Sequence, residues 1–254
     1  MGILNITPDS FSGDGLLNLT EEAVSRARRF VAEGADIIDI GGESTRPSSA
    51  PVSGEEELER VIPVLERLSG QLSVPLSIDT SKSEVARRAV AAGARMINDV
   101  WGLKQDAALA DVAAEAGVPL VLAANERDTQ VRDIVRQVIA DLKEAIKIAR
   151  KAGVPEENII LDPGIGFGKT LEQNLELIDR LAELKALGHP VLLGTSRKSV
   201  IGLVLDLPVE KRLLGTAATN AIGIANGADI IRVHEVKEMA QLAKMCDAIV
   251  RRKK

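Results

Sequence analysis

The stretch Gly34-Ala-Asp-Ile-Ile-Asp-Ile-Gly-Gly-Glu-Ser-Thr-Arg-Pro47 decides the fold. A glycine stops a helix, a β-branched run follows at Asp36–Ile40, and that run ends in glycines and polar side chains. The same unit recurs along the chain. Comparable runs lie at Gly2–Ile6, Leu76–Asp79, Met96–Val100, Leu120–Ala123, Ile159–Asp162, Val191–Gly194 and Ile230–Val233. Their mean spacing of about 32 residues is the length of one βα unit. Between them, apolar residues return every three or four positions, as in Leu58, Ile62, Leu65 and Leu68. Helices are expected over Ser53–Ser69, Ser83–Ala92, Asp106–Ala116, Val131–Ala152, Leu171–Leu187, Val209–Asn226 and Val236–Arg251, with another opened by Thr20-Glu-Glu-Ala and closed at Gly34. Short links lead into the strands and longer polar ones lead out of them. Eight such units in 254 residues fit an α/β (β/α)8 TIM barrel, one domain over residues 1–254, better than an open doubly wound sheet.

Composition narrows the function. With 45% hydrophobic residues the chain can fold, yet no run reaches the roughly 18 apolar residues of a membrane helix. Neither a signal peptide nor a membrane partner is expected. A net charge of −5 and only three Phe, one Trp and no Tyr leave little for a nucleic acid to bind. The one cysteine, Cys246, permits no internal disulfide and suits a cytoplasmic protein.

In a barrel of this kind the active site lies at the carboxyl ends of the strands. Those ends carry Asn5, Asp39, Asp79, Asn98-Asp99, Asp162, Thr195-Ser196-Arg197-Lys198-Ser199, and Arg232 with His234. Any one could be a turn or cap residue. Together they would crowd one mouth with polar groups that are costly to bury without a ligand. Asp79, Asn98 and Asp162 suit a flat ring rich in N–H donors. Arg232 and His234, two apart on one strand and beside Asn5 of the first, suit a phosphate. Lys198 stands between the two regions. Gly164-Ile-Gly-Phe-Gly-Lys169 matches no nucleotide fingerprint and reads as a tight turn needing positive φ. No spacing of Cys and His suggests zinc, and no serine-histidine-aspartate triad can be assembled.

Seven segments together resemble dihydropteroate synthase: Met1-Gly-Ile-Leu-Asn-Ile-Thr-Pro-Asp-Ser-Phe-Ser12, Asp39-Ile-Gly-Gly-Glu-Ser-Thr-Arg-Pro47, Ile78-Asp-Thr80, Ile97-Asn-Asp99, Asp162-Pro-Gly-Ile-Gly-Phe-Gly-Lys169, Ser196-Arg-Lys-Ser199 and Arg232-Val-His234. The resemblance implies a cytoplasmic homodimeric transferase of folate biosynthesis. It would condense p-aminobenzoate with (7,8-dihydropterin-6-yl)methyl diphosphate, using Mg2+, to give 7,8-dihydropteroate and pyrophosphate. It implies that Asp79, Asn98, Asp162 and Lys198 hold the pterin, and that Asn5, Arg232 and His234 hold the diphosphate. Asn5 would also ligate the metal. Phe11, Thr45, Arg46, Pro47 and Ser199 would shape the p-aminobenzoate site, and Lys198, Asp162 and Arg232 would carry the chemistry. The chain departs from the family at Ala123-Ala124, where Met-His is usual, and at Ser12-Gly-Asp-Gly15, where Ser-Asp-Gly-Gly is usual. Two other readings follow. A pterin-binding paralogue without turnover is motivated by Ala123-Ala124. A methyltetrahydrofolate–corrinoid methyltransferase would keep the ring-binding Asp and Asn but have no use for Arg232, His234 or Thr45-Arg46-Pro47.

Overall fold

The computed structural model describes residues 1–7, 16–44, 51–126 and 132–252, and the side chains of 16–18 lie outside the description. Six parallel strands follow one another in chain order: β1 (Gly2–Asn5), β2 (Ile38–Gly41), β3 (Leu76–Asp79), β4 (Met96–Asp99), β5 (Leu120–Ala123) and β6 (Ile159–Asp162). A parallel pair, β7 (Leu192–Leu193) and β8 (Ile230–Ile231), completes the set. The cylinder closes on both sides of that pair. Leu161 N–H donates to Pro190 O at 2.9 Å, joining β6 to β7, while Ile3 N–H donates to Val233 O and Val233 N–H to Met1 O, both at 2.9 Å, joining β8 to β1. The (β/α)8 barrel expected from the sequence is therefore formed.

The helices outside it are α1 (Leu16–Ala32), α2 (Gly54–Leu68), α3 (Ser83–Ala91), α4 (Ala108–Ala116), α5 (Ile134–Ala152), α6 (Leu171–Asp179), α7 (Ala182–Lys185), α8 (Ser199–Leu205), α9 (Leu213–Ala225) and α10 (Val236–Val250). The Ser53 hydroxyl caps α2 by accepting from Glu56 N–H at 3.1 Å, and Gly117 and Gly153 end α4 and α5 in the left-handed conformation. Three expectations are corrected. Thr20 lies inside α1 rather than capping it. The helix expected over Leu171–Leu187 breaks after Asp179, because the Asn226 amide donates to the carbonyls of Ile178 (3.0 Å) and Asp179 (2.9 Å) and takes them out of the helical ladder. The helix expected from Val209 starts as a 3-10 turn, Val209–Lys211, and becomes α-helical only at Leu213. No helix among the described residues is long and apolar enough to cross a membrane.

Strand alternation sorts the core into two parts. Leu4, Ile38, Ile40, Ile78, Ile97, Leu120, Leu122 and Leu161 point outward into the helix layer, all fully buried. Burying each of these side chains is worth about 2 kcal/mol. Inside the cylinder, Met1, Met96, Val121, Ile160 and Leu192 fill the lower half. Two residues further along, the inward positions of β4 and β6 turn polar, at Asn98 and Asp162, while those after Val121 and Leu192 become the short Ala123 and Gly194.

Candidate active site

The register pairs Asp79 with Asn98 and Ala123 with Asp162, so these neighbours share the interior face. The even strands thus contribute a ring of Asp39, Asn98, Asp162 and Arg232. The odd strands contribute Asn5, Asp79, Ala123 and Gly194. Where the lower interior interdigitates apolar side chains, the upper interior offers three carboxylates, two amides and a guanidinium. Asn98 and Asp99 are consecutive, and only Asn98 faces in. Asp99 turns into the helix layer, where it accepts from Trp101 N–H (2.9 Å) and Leu103 N–H (2.6 Å), and burial pushes its pKa up to about 6.

Arg232 ties the ring together. Its Nε donates to Asp39 Oδ2 at 2.6 Å and its Nη2 to Asp79 Oδ2 at 2.5 Å. Asn98 Nδ2 donates to the same Asp39 Oδ2 at 2.9 Å. Burial works against the Arg232 charge, but the two carboxylates outweigh it and hold its pKa above the ordinary value. Asp79, 7% exposed, is pushed up to about 7 by burial, with Arg232 opposing and Asp39 adding to the rise. Burial also raises Asp162, against the pull of Lys198 and of the Gly164 N–H that Asp162 Oδ1 accepts at 2.7 Å.

Gly194 shows how closely these groups converge. A Cβ placed there would stand 4.0 Å from Asp162 Oδ2, Lys198 Nζ and Arg232 Cβ alike. Because residue 194 has no side chain, that point stays open among all three. Nearby, a Cβ on Gly41 would lie 3.7 Å from Asn5 Oδ1 and 3.8 Å from Asp79 Cγ, so Asn5 opens on the same space. Ala123 adds a second short wall.

Lys198 is aimed by the glycine turn after β6. Gly164, Gly166 and Gly168 all take positive φ, as the sequence predicts. The turn presents the Ile165 carbonyl to Lys198 Nζ and lays the Phe167 ring 4.3 Å from that ammonium. Beneath it, Lys169 Nζ donates to the carbonyls of Ala124 (2.7 Å), Gly164 (3.0 Å) and Phe167 (3.3 Å), and burial lowers its pKa to about 8. His234 follows β8, its Nδ1 2.9 Å from Ser196 Oγ. Ser199 opens α8. Phe11, Thr45, Arg46 and Pro47, like Asp14, lie outside the described residues. Both shoulders of the segment that carries Thr45–Pro47 are fastened, however. Glu43 Oε1 accepts from Val52 N–H at 3.1 Å, and Lys82 Nζ bridges Glu43 (2.5 Å) to the buried Glu57 (2.6 Å).

The comparisons with known proteins agree with this geometry. A family model described as pterin binding enzyme matches residues 1–234. The dihydropteroate synthase of Clostridium beijerinckii is 54% identical over 253 residues, 99% of this chain and 94% of the relative. The chain belongs to the dihydropteroate synthase family. The Bacillus subtilis synthase is likewise 54% identical, over 98% of this chain and 88% of its own. Among solved structures, Clostridium difficile dihydropteroate synthase in the presence of pteroic acid superposes with a TM-score of 0.96 at 50% identity, covering 99% of this chain and 96% of that one. The Xanthomonas albilineans enzyme in complex with 7,8-dihydropteroate gives 0.90 at 43% identity, covering 98% and 92%. Of the residues singled out in the sequence, Asn5, Asp79, Asn98, Asp162, Lys198 and Arg232 are brought to one interior space. Asp39, Ser196 and Lys169 are the supporting groups to which the sequence assigned no role.

Proposed function

We propose that the protein joins p-aminobenzoate to (7,8-dihydropterin-6-yl)methyl diphosphate, releasing 7,8-dihydropteroate and pyrophosphate. The observation that carries this reading is the gathering of Asp162 Oδ2, Lys198 Nζ and the stem of Arg232 around the open point at Gly194, with the Arg232 guanidinium on Asp79 and with Asn98 beside Asp79 on the same interior face. Asp79 and Asp162 accept N–H donors from the pterin. Asn98 gives its amide N–H to Asp39, which leaves its oxygen as the third acceptor. Lys198 packs over the ring edge from the β6 turn. Arg232 and His234 face the diphosphate.

In the reaction the pterin methylene C–O bond breaks and pyrophosphate leaves with the electron pair. The arylamine nitrogen supplies the pair for the new C–N bond and loses a proton to solvent or to the leaving pyrophosphate. The Asp79 and Asp162 carboxylates favour positive charge developing on the pterin methylene. The Arg232 guanidinium favours the negative charge on the leaving group, and its neighbours hold it in place for that role. No protein nucleophile is required. The segments carrying Phe11, Thr45, Arg46 and Pro47, with Ser199, would form the p-aminobenzoate side.

Mg2+, when bound, would neutralise part of the diphosphate charge. Among the described residues no three His, Cys, Asp or Glu side chains gather as a metal site, whereas Asn5 Oδ1 opens on the interior. One hard oxygen suits an ion that arrives with the diphosphate and keeps its waters. The assay is pyrophosphate release from both substrates with Mg2+. Release that depends on p-aminobenzoate supports the reading, and a folded protein that binds the pterin diphosphate without releasing pyrophosphate contradicts it.

Asp79 sets a pH limb. It accepts an N–H most strongly as the carboxylate, with both oxygens free to accept, and burial pushes its pKa up to about 7. Pterin affinity is therefore expected to fall on acidification through that value, by at most about tenfold per pH unit. Calorimetry between about pH 5.5 and 8.5 measures the limb, which should flatten in Asp79→Asn.

A homodimer and a cytoplasmic setting complete the reading. Among the described residues, nine of the ten exposed large apolar side chains lie from Leu203 onward, on or beside α8, α9 and α10, with Leu214 80% exposed. Such a patch is expected to be covered by a second copy. Sedimentation should give twice the chain mass, and Leu214→Asp should shift it toward the single chain. For the cytoplasmic setting the support is the single free cysteine, Cys246.

A further inference from the structure

We infer that Asp39 is a positioning residue that sets the phosphate-binding and ring-binding halves of the site against each other. The inference rests on the pterin-diphosphate reading above. Asp39 is 0% exposed, so it does not itself touch a ligand. Its Oδ2 accepts from two groups that come from opposite sides of the barrel: Asn98 Nδ2 of β4 at 2.9 Å and Arg232 Nε, just past β8, at 2.6 Å. Asp39 sits midway between them on β2, at the level where the strand register aligns it with Ile3 and Ser77. One carboxylate oxygen therefore links the group assigned to the diphosphate with a group assigned to the pterin.

The second anchor of Arg232 differs in kind. Arg232 Nη2 is held by Asp79, and Asp79 is also an acceptor for the incoming ring. A ring N–H competes with Arg232 for that carboxylate. Asp39 has no such competitor, so it keeps Nε in place while the Nη2 end changes partner. The guanidinium then pivots on Nε toward the diphosphate instead of being released. At the same time Asp39 fixes which face of the Asn98 amide meets the ligand. Without Asp39, the Arg232 charge would have Asp79 as its remaining carboxylate partner among the described residues, and the two would tend to stay paired at the expense of ring binding.

The test reads the two halves separately, with inorganic pyrophosphate plus Mg2+ for one and 6-hydroxymethyl-7,8-dihydropterin, which has no diphosphate, for the other. Asp39→Ala is expected to weaken both ligands by about tenfold or more. Arg232→Ala should weaken chiefly pyrophosphate, and Asn98→Ala chiefly the pterin. The double variant Asp39→Ala/Arg232→Ala should bind pyrophosphate no worse than Arg232→Ala alone, because Asp39 acts through Arg232. Asp39→Asn keeps the shape and removes the charge, and it provides the same readings if the alanine variant does not fold. Losses at Asp39 and Arg232 that simply add, or an Asp39 variant with both affinities intact, would overturn the inference while leaving the proposed function standing. A wild-type protein that binds neither ligand would overturn that function, and the inference with it.

Discussion

Replacing Arg232 by alanine is expected to lower kcat/KM by about a hundredfold to a thousandfold, the usual cost of removing a group aimed at developing charge. It should also destabilise the fold by about 3–5 kcal/mol, because the buried Asp39 and Asp79 carboxylates lose their cation. Both effects have the same origin. The guanidinium is the cation held directly on Asp39 and Asp79, whereas the Lys198 ammonium lies on the Asp162 side of the same interior. Arg232→Lys keeps a charge but cannot bridge Asp39 through Nε and Asp79 through Nη2 together, so it should recover only part of either loss. Steady-state kinetics and urea denaturation of the two variants measure this. An Arg232→Ala enzyme within about tenfold of wild type would remove the guanidinium from the chemistry.

The second large effect is structural in origin and catalytic in consequence. Gly164 has φ of +68°, and a Cβ there would lie 1.8 Å from the Ala124 carbonyl oxygen. Gly164→Ala must therefore move backbone, and about 3 kcal/mol of stability should be lost. The same turn supplies the Ile165 carbonyl and the Phe167 ring to Lys198, and its N–H holds Asp162 Oδ1. A shift of about 1 Å there should cost roughly a hundredfold in activity. Gly70 provides the control. It has φ of +72° with nothing within 4 Å of a built Cβ, so Gly70→Ala should cost only about 1 kcal/mol and leave activity unchanged. Equal losses in the two variants would mean that the left-handed backbone alone, and not the Ala124 contact, makes glycine necessary at 164.

The barrel was legible because each strand is a β-branched run closed by glycine or a polar turn, and each turn chemistry is local. The site was legible in outline for the same reason, since Asp79, Asn98, Asp162 and Arg232 stand at strand ends. Other features depend on contacts that sequence proximity does not reveal. Asn98 and Asp99 look equivalent in the sequence, and only the phase of the strand separates the interior amide from the carboxylate that braces a turn. Asp39 is one polar strand end among several in the sequence, and its particular role depends on Arg232, which the fold brings to it from the far end of the chain. The break between α6 and α7 was set by Asn226, distant in sequence, and could not be read from Leu171–Leu187 itself. Helix α8 escaped because it spans seven residues and turns Leu203 and Val204 outward, against the usual apolar-in pattern. The departure at Ala123-Ala124 also reads differently in three dimensions: with Gly194 two strands away on the same inward face, Ala123 leaves space at the level of the polar ring.

The most direct measurement is a crystal structure with an unreactive analogue of the pterin diphosphate. The ring is expected within the upper barrel, its N–H groups on Asp79 and Asp162, with the anionic end on Arg232 and His234. A ligand seated elsewhere, or one that meets Asp162 without reaching Arg232, would contradict the claim that a single molecule spans both halves of this interior.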